Sequence, residues 1–324
     1  MSSPISIWAR PKASPALLGV WGIAAALILY VLIRGGYLMA VLQIAAIYTV
    51  LVTGLNIFMG YAGQISFGHN AFAAVCGYVS AVLTTTYGWE PLPAVLLGLV
   101  VVLICALIIG YPTLRLRGHY LAMATLAIGL IAYDVAVEWG AVTQGYMGIS
   151  GIPPLGIGRW TVTSDRGILI ALLIMAALGV VIAAAIRRSR LGRAFVAIAG
   201  SENAARSLGI DVAHYKLVAF LISAFYAGVA GTLFVHAVGF VSPEVFGLHM
   251  VVLTFTMLYV GGTGTFAGPA IGATVVTLLP ETFRRFNEYQ DLIFGVALIV
   301  ILIYAPGGIA SLSRFLSSNR GKNT

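Results

Sequence analysis

The sequence has 324 residues, of which 60% are hydrophobic and only 9% are charged, and its formal net charge is +8. Soluble domains carry about a quarter charged residues, so this composition excludes a soluble protein and predicts one embedded in lipid. The basic residues lie at the ends of apolar runs and form no single patch, which argues against a nucleic-acid partner. Cys76 and Cys105 both lie within apolar runs, so neither a disulfide scaffold nor a metal cluster is predicted.

Apolar runs that can cross a bilayer recur along the chain. Because about twenty apolar residues span the hydrocarbon, we predict an all-α polytopic membrane protein with about ten transmembrane helices, some short or broken by glycine. The predicted spans are 16–33, 37–59, 64–84, 92–113, 119–140, 167–186, 216–239, 248–262, 266–280 and 291–305. The first is too long for a signal-peptide core and no clear cleavage site follows it.

The basic residues predict the orientation of these spans. With the N-terminus inside, five of the 18 lysines and arginines fall outside and the other 13 inside; the five are Arg34, Arg159, Arg166, Arg284 and Arg285. This asymmetry favours a cytoplasmic N-terminus at 1–15, a transmembrane domain at 16–310 and a cytoplasmic tail at 311–324.

A polar stretch interrupts the third predicted span, within a region that has no charged residue from Gly35 to Trp89. Its polar side chains are costly to expose to lipid, and its glycines permit a break in the helix. We therefore predict a translocation path, with the alternative that the stretch is a helix start buried against neighbouring helices. The candidate path residues are Gly63, Gln64, Ser66, Gly68, His69 and Asn70.

Two carboxylates, Asp134 and Glu138, lie four residues apart near the outer end of the fifth span. They could form a cation site or a proton relay, but a position among the outer headgroups explains them better.

Two loops are long. The external loop 141–166 is rich in Gly, Pro and Thr, and the cytoplasmic loop 187–215 is the longest polar stretch of the chain. Within the second, Ser201 is a predicted N-cap and Gly209 a predicted helix stop. A short helix between them could dock on a soluble motor, or could be a loop helix without a partner. The residues assigned to this coupling helix are Glu202, Ala204, Ala205, Arg206 and Gly209.

Gly264, Gly268 and Gly272 repeat every four residues, and on a helix they would form a smooth stripe for close helix packing. The chain contains no phosphate-binding loop of the G-x-x-x-x-G-K-[ST] type. No cofactor is therefore expected on this chain, and any ATP that drives it must be bound by another polypeptide.

Four segments together resemble one family. They are GYAGQISFGHNAF, LRLRGHYLAMATLAIG, SENAARSLGID followed by KLVAFLISAFYAGVAGTLF, and GFVSPEVFGLHMVVLTFTMLYVGGTGTFAGPAIGA. In this order they resemble the LivM-type permeases of branched-chain amino-acid ABC importers, over about residues 37 to 310. Asn203 departs from the Glu-Ala-Ala pattern of the family's ATPase-engaging loop.

The resemblance implies a non-enzymatic transport subunit in a bacterial inner membrane. Its implied partners are a homologous second permease, two cytoplasmic ABC ATPases and a periplasmic substrate-binding protein. Leucine, isoleucine and valine are the expected substrates, although related permeases carry urea, short amides or other amino acids. Glu202→Arg or Gly209→Pro is expected to abolish ATPase docking while membrane insertion is kept.

Two other classes compete with this interpretation. A secondary transporter or channel would work alone, but it would more often show an intramembrane carboxylate or paired broken helices. An intramembrane enzyme is disfavoured because the five histidines show no H-E-x-x-H motif and no catalytic spacing with serine.

Overall fold

A computed structural model describes residues 35–157 and 160–283, with the isolated positions 295, 296, 299, 308 and 309. The described chain is almost entirely helical. Its helices are α1 (Tyr37–Leu55), α2 (His69–Thr85), α3 (Pro91–Thr113), α4 (His119–Glu138), α5 (Gly140–Thr143), α6 (Asp165–Arg188), α7 (Arg190–Gly200), α8 (Glu202–Ser207), α9 (Val212–Val238), α10 (Leu248–Gly261) and α11 (Gly268–Phe283). Its strands are β1 (Ile149–Ser150), β2 (Gly156–Ile157), β3 (Trp160–Thr161) and β4 (Phe240–Val241).

The all-α multi-pass architecture is confirmed, whereas the number of about ten spans is not. Among the described residues, six helices are long and apolar enough to cross a membrane: α1, α3, α4, α6, α9 and α10, with short π or 3-10 extensions on α1 and α10. Helices α2 and α11 have only 17 and 16 residues. The termini 1–15 and 311–324, the span 16–33 and nearly all of the span 291–305 lie outside the described residues.

Helix α9 lies at the centre of the bundle and packs against α1, α2 and α3. Glycines allow these helices to approach closely. A Cβ atom on Gly231 of α9 would overlap the carbonyl oxygen of Ala73 on α2, and a Cβ atom on Gly54 of α1 would overlap the side chain of Tyr226. Since lipid provides no hydrophobic drive between helices, such backbone contacts supply much of the packing energy.

Helices α10 and α11 form a second closely packed pair, which also contacts α1. A Cβ atom on Gly268 would overlap the Gly262 carbonyl oxygen, and one on Gly272 would overlap that of Met257. Gly264 lies in the turn between the two helices with φ at +69°, where the predicted spans 248–262 and 266–280 left it, so only Gly268 and Gly272 of the expected stripe lie on a helix. The chain must reverse direction there, and the left-handed conformation favours glycine.

The connecting loops gather at two ends of the bundle, which differ in charge. One end, called here the basic end, holds the segment 62–68, the turns 114–118 and 262–267 and the loop 187–215, joined by contacts such as Gln64 with Glu202. Eight of the nine described basic residues lie there, namely Arg115, Arg117, Arg187, Arg188, Arg190, Arg193, Arg206 and Lys216. Within the described part of the chain, the opposite end has only Arg166.

The opposite end carries the 141–166 loop. Strands β1 and β4 pair antiparallel there, and β2 pairs with β3. The buried His236 at the end of α9 also holds this loop: its Nδ1 atom lies 2.7 Å from the Pro153 carbonyl oxygen and its Nε2 atom 2.7 Å from Ser80 Oγ. The loop is therefore pinned to the helix bundle.

Candidate functional site

Helix α1 continues into a π-helix, Asn56–Tyr61. The buried Asn56 binds the turn between α10 and α11, because its Oδ1 accepts from the Gly264 N–H at 2.7 Å and its Nδ2 donates to the Thr265 carbonyl at 2.9 Å. Single π-helical turns often occur at functional sites. Asn56 was not among the predicted site residues, although an asparagine inside an apolar run is a signal for such a role.

After the π-helix the chain stays non-helical until His69, so α2 begins five residues later than the predicted span. Gly63 has φ at +67°, and a Cβ atom there would lie 2.9 Å from Cα of Ala199 on α7. Farther along, the Phe67 N–H donates to Thr125 Oγ1 of α4 at 3.0 Å. Irregular backbone in a membrane protein must be packed in protein or line a cavity, and this segment is packed against α4 and α7.

His69 is buried within a chain of hydrogen bonds. Ser223 Oγ donates its single proton to the Gly54 carbonyl at 2.7 Å. His69 Nε2, 2.5 Å from the same oxygen, must therefore be the donor to Ser223, and Nδ1 lies within hydrogen-bond distance of Ser66 Oγ at 3.1 Å. Through these partners the imidazole connects α1, α2 and α9.

Asn70 occupies the next position and joins α2 to two other elements. Its Nδ2 donates to the Phe246 carbonyl at 2.8 Å and to the Gly129 carbonyl of α4 at 3.4 Å. Its buried Oδ1 has no hydrogen-bond partner within the described part of the chain. This amide therefore couples α4 to the turn that precedes α10.

A small cavity of about 10 Å³ adjoins these polar groups. Its lining residues come from α1, α2, α10 and the segment before α2, and they are Leu55, Ser66, Phe67, His69, Asn70, Val251, Thr254 and Phe255. This volume accommodates about one water molecule. An amino acid could pass only if these helices separated, so the translocation path through Gly63, Gln64, Ser66, Gly68, His69 and Asn70 stays a prediction.

The short helix α8 begins and ends where the sequence predicted. Ser201 Oγ accepts from the Ala204 N–H at 3.3 Å, which caps its first turn. At the other end, Gly209 has φ at +81°, its N–H donates to the Arg206 carbonyl, and the Ile210 N–H donates to the Ala205 carbonyl. A glycine in this left-handed position is a common way to end a helix.

Helix α8 has two faces with different surroundings. Ala205 faces inward and is buried against Ile198 of α7 and Val212 of α9. The outward face is exposed, and its residues are Asn203, Ala204, Arg206, Ser207 and Leu208. Leu208, at the end of this face, is 80% exposed. It was not among the predicted site residues.

Glu202 turns away from this exposed face. Its carboxylate forms an ion pair with Lys216 of α9, lies 3.6 Å from Arg117 Nε, and accepts from Gln64 Nε2 at 3.2 Å. Lys216 is only 2% exposed, so the carboxylate is the partner of a buried cation. The Glu202 side chain therefore contacts the helix bundle, and its role in ATPase coupling stays a prediction.

The electrostatics of Glu202 favour the ionised carboxylate. Burial raises the pKa of this carboxyl, but hydrogen bonds and charge attraction from Lys216, with smaller contributions from Gln64 and Arg117, outweigh it and hold the pKa below its usual range. The ion pair is fully formed above the ordinary glutamate range and is lost as the pH falls through the lowered pKa.

Other candidates from the sequence are not brought into this site. Asp134 and Glu138 are exposed near the end of α4. The described residues contain no group of three His, Cys, Asp or Glu side chains that could hold a metal ion.

Comparison with known proteins places the chain in a family. The family model described as "Branched-chain amino acid transport system / permease component" matches residues 37–302. The chain is 35% identical to the high-affinity branched-chain amino acid transport system permease protein LivM of Salmonella typhimurium, over 83% of this chain and 68% of the relative. It is also 34% identical to LivM of Escherichia coli K12, with the same coverage.

A second kind of permease also matches. The permease protein LivH of Escherichia coli K12, named for the same transport activity, is 26% identical over 81% of this chain and 90% of the relative. No solved structure matches the chain significantly.

Proposed function

Because this chain belongs to the branched-chain amino acid transport permease family, we propose that it is the membrane-spanning subunit of an ABC importer for leucine, isoleucine and valine. It is a transport subunit and not an enzyme. The observation that supports energy coupling best is α8, a capped helix with one exposed face and one face fastened to the bundle. We propose that the permease pair docks two ABC ATPase subunits, one of them on this exposed face.

The relatives support a permease pair. LivM and LivH are distinct permease proteins, and this chain is similar to both, with higher identity to LivM. We propose that a LivH-like permease completes the path and that a periplasmic binding protein delivers the substrate. Selection by that protein would leave only a weak site in the membrane, in agreement with the uncharged polar stretch from Gly63 to Asn70.

The proposed mechanism is alternating access. In this structure the small cavity beside Ser66 and Asn70 is closed to an amino acid. ATP binding would bring the motor subunits together, and the displacement of α8 would separate the helices around this cavity. Hydrolysis would restore the inward-facing arrangement.

Uptake by the complete importer tests this proposal. In proteoliposomes that contain both permeases, the ATPases and the binding protein, we expect ATP-dependent uptake of leucine that isoleucine and valine compete for. Urea and acetamide serve as control solutes. Leucine uptake by the permeases without ATPases would contradict the importer class, and uptake of urea in place of leucine would contradict the substrate.

We further propose an inner-membrane location with the basic end and both termini in the cytoplasm, as the positive-inside rule favours. Two single-cysteine variants without Cys76 and Cys105 test this orientation. We expect a membrane-impermeant maleimide to modify Met147→Cys, at the opposite end, in spheroplasts, and Leu208→Cys only after the membrane is opened. Modification of Leu208→Cys in sealed spheroplasts would contradict the orientation.

A further inference from the structure

The Glu202 carboxylate joins α8 to three other parts of the chain, through Gln64, Arg117 and Lys216. We propose that Glu202 is a positioning residue that ties α8 to the polar segment 62–68, so that movement of α8 displaces Ser66, His69 and Asn70. This inference rests on the proposed function, because it supposes that α8 is moved by an ATPase.

At the basic end, Glu202 of α8 and the segment 62–68 are in direct contact. Gln64 Nε2 donates to Glu202 Oε1, and one residue earlier Gly63 packs closely against Ala199 of α7. The segment 62–68 thus contacts both helices of the cytoplasmic loop at adjacent positions. A Cβ atom on Gly63 would lie only 2.9 Å from Cα of Ala199, so the two backbones are in close contact.

The same segment continues into the bundle. Only four residues separate Gln64 from His69, and two of them are held by hydrogen bonds, Ser66 Oγ with His69 Nδ1 and the Phe67 N–H with Thr125 Oγ1 of α4. His69 is bonded to Ser223 of α9, and Asn70 is bonded to the Phe246 carbonyl ahead of α10. A displacement of Gln64 would therefore also displace the residues that line the closed cavity.

The ion pair between Glu202 and Lys216 makes the connection between α8 and the bundle difficult to break. Lys216 belongs to the central helix α9 and is almost completely buried, so separation from Glu202 would leave a buried cation without its partner. Arg117, at the turn before α4, adds a second cation to the same carboxylate. The docking residues Ala204, Arg206 and Leu208 lie on the other face of α8, so docking and transmission are separate functions of one short helix.

Glu202→Ala tests the tie in the complete reconstituted importer, because alanine lacks the oxygen that accepts from Gln64 Nε2. We expect the ATPase subunits to co-purify as with the wild type, ATP hydrolysis to continue, and leucine uptake per ATP hydrolysed to fall at least about fivefold. Glu244→Ala is the matched control, since Glu244 is exposed at the opposite end; uptake should not change.

Gln64→Ala provides a second measurement that does not alter the buried ion pair. Gln64→Ala should reduce uptake per ATP in the same way, and the double variant should be no worse than Glu202→Ala alone, because both substitutions remove the same hydrogen bond. Additive losses in the double variant, unchanged uptake in either single variant, or loss of ATPase co-purification in Glu202→Ala would each overturn the inference. If Glu202→Ala does not accumulate, Gln64→Ala alone decides the question. Failure of the wild-type chain to bind ATPases would instead overturn the proposed function.

Discussion

Leu208→Asp is expected to abolish recovery of the ATPase subunits with this chain while the permease still accumulates in the membrane. The leucine side chain is 80% exposed on the outward face of α8, so its replacement breaks no internal packing. A central apolar contact in an interface is worth about 2 kcal/mol or more, and a buried, unpaired carboxylate adds a further penalty. Affinity purification of the complex, with the ATPase quantified per permease, measures the effect.

Met147→Asp is the matched control for this experiment. Met147 is an apolar residue that is 85% exposed at the opposite end of the bundle, where no ATPase would bind. This variant should retain the ATPases. Gly209→Pro should resemble Leu208→Asp, because proline cannot adopt φ near +81° and lacks the N–H that donates to the Arg206 carbonyl. Normal recovery of the complex with Leu208→Asp would contradict the docking surface.

Gly231→Ala is expected to destabilise the whole bundle, although it adds only one methyl group. The added Cβ would overlap the Ala73 carbonyl oxygen, which belongs to the backbone of α2 and cannot rotate away. Helices α2 and α9 would have to move apart, at a cost of about 1–3 kcal/mol for overpacking. We expect a lower apparent melting temperature in detergent and a smaller monodisperse fraction.

Gly140→Ala, the same substitution at an uncrowded position, distinguishes the effect of helix packing from the effect of helix propensity. Nothing lies within 4 Å of a Cβ atom at Gly140, and alanine is favoured over glycine in a helix by about 1 kcal/mol. Gly140→Ala should therefore keep or slightly raise the melting temperature. Equal melting temperatures for Gly231→Ala and the wild type would show that α2 and α9 do not pack as closely as described.

Local sequence features predicted the elements well where local forces dominate. The apolar runs from Tyr37, Pro91, His119, Asp165, Val212 and Leu248 appear as helices because each can satisfy its own backbone hydrogen bonds in lipid. The glycines of the polar stretch were expected to permit a break in the helix, and the chain is non-helical from Ala62 to Gly68. Ser201 and Gly209 predicted both ends of α8, because caps act within a single turn.

Features that depend on distant partners could not be predicted in this way. Gly264 has the spacing of a helical stripe, yet it lies in a turn. There its N–H donates to Oδ1 of Asn56, which is 208 residues earlier in the chain. Ser223 and Lys216 lie within or at the start of an apolar run and look like isolated polar residues until His69 and Glu202 approach them.

The sequence by itself therefore determined the lipid environment, the helical class, the family and the limits of the exposed helix, since each follows from composition, local pattern or motif. Only the tertiary structure decided that Glu202 faces the bundle and Leu208 faces outward. Either orientation satisfies the caps of α8, and the choice follows from the buried cation Lys216, which requires a carboxylate that only folding brings beside it.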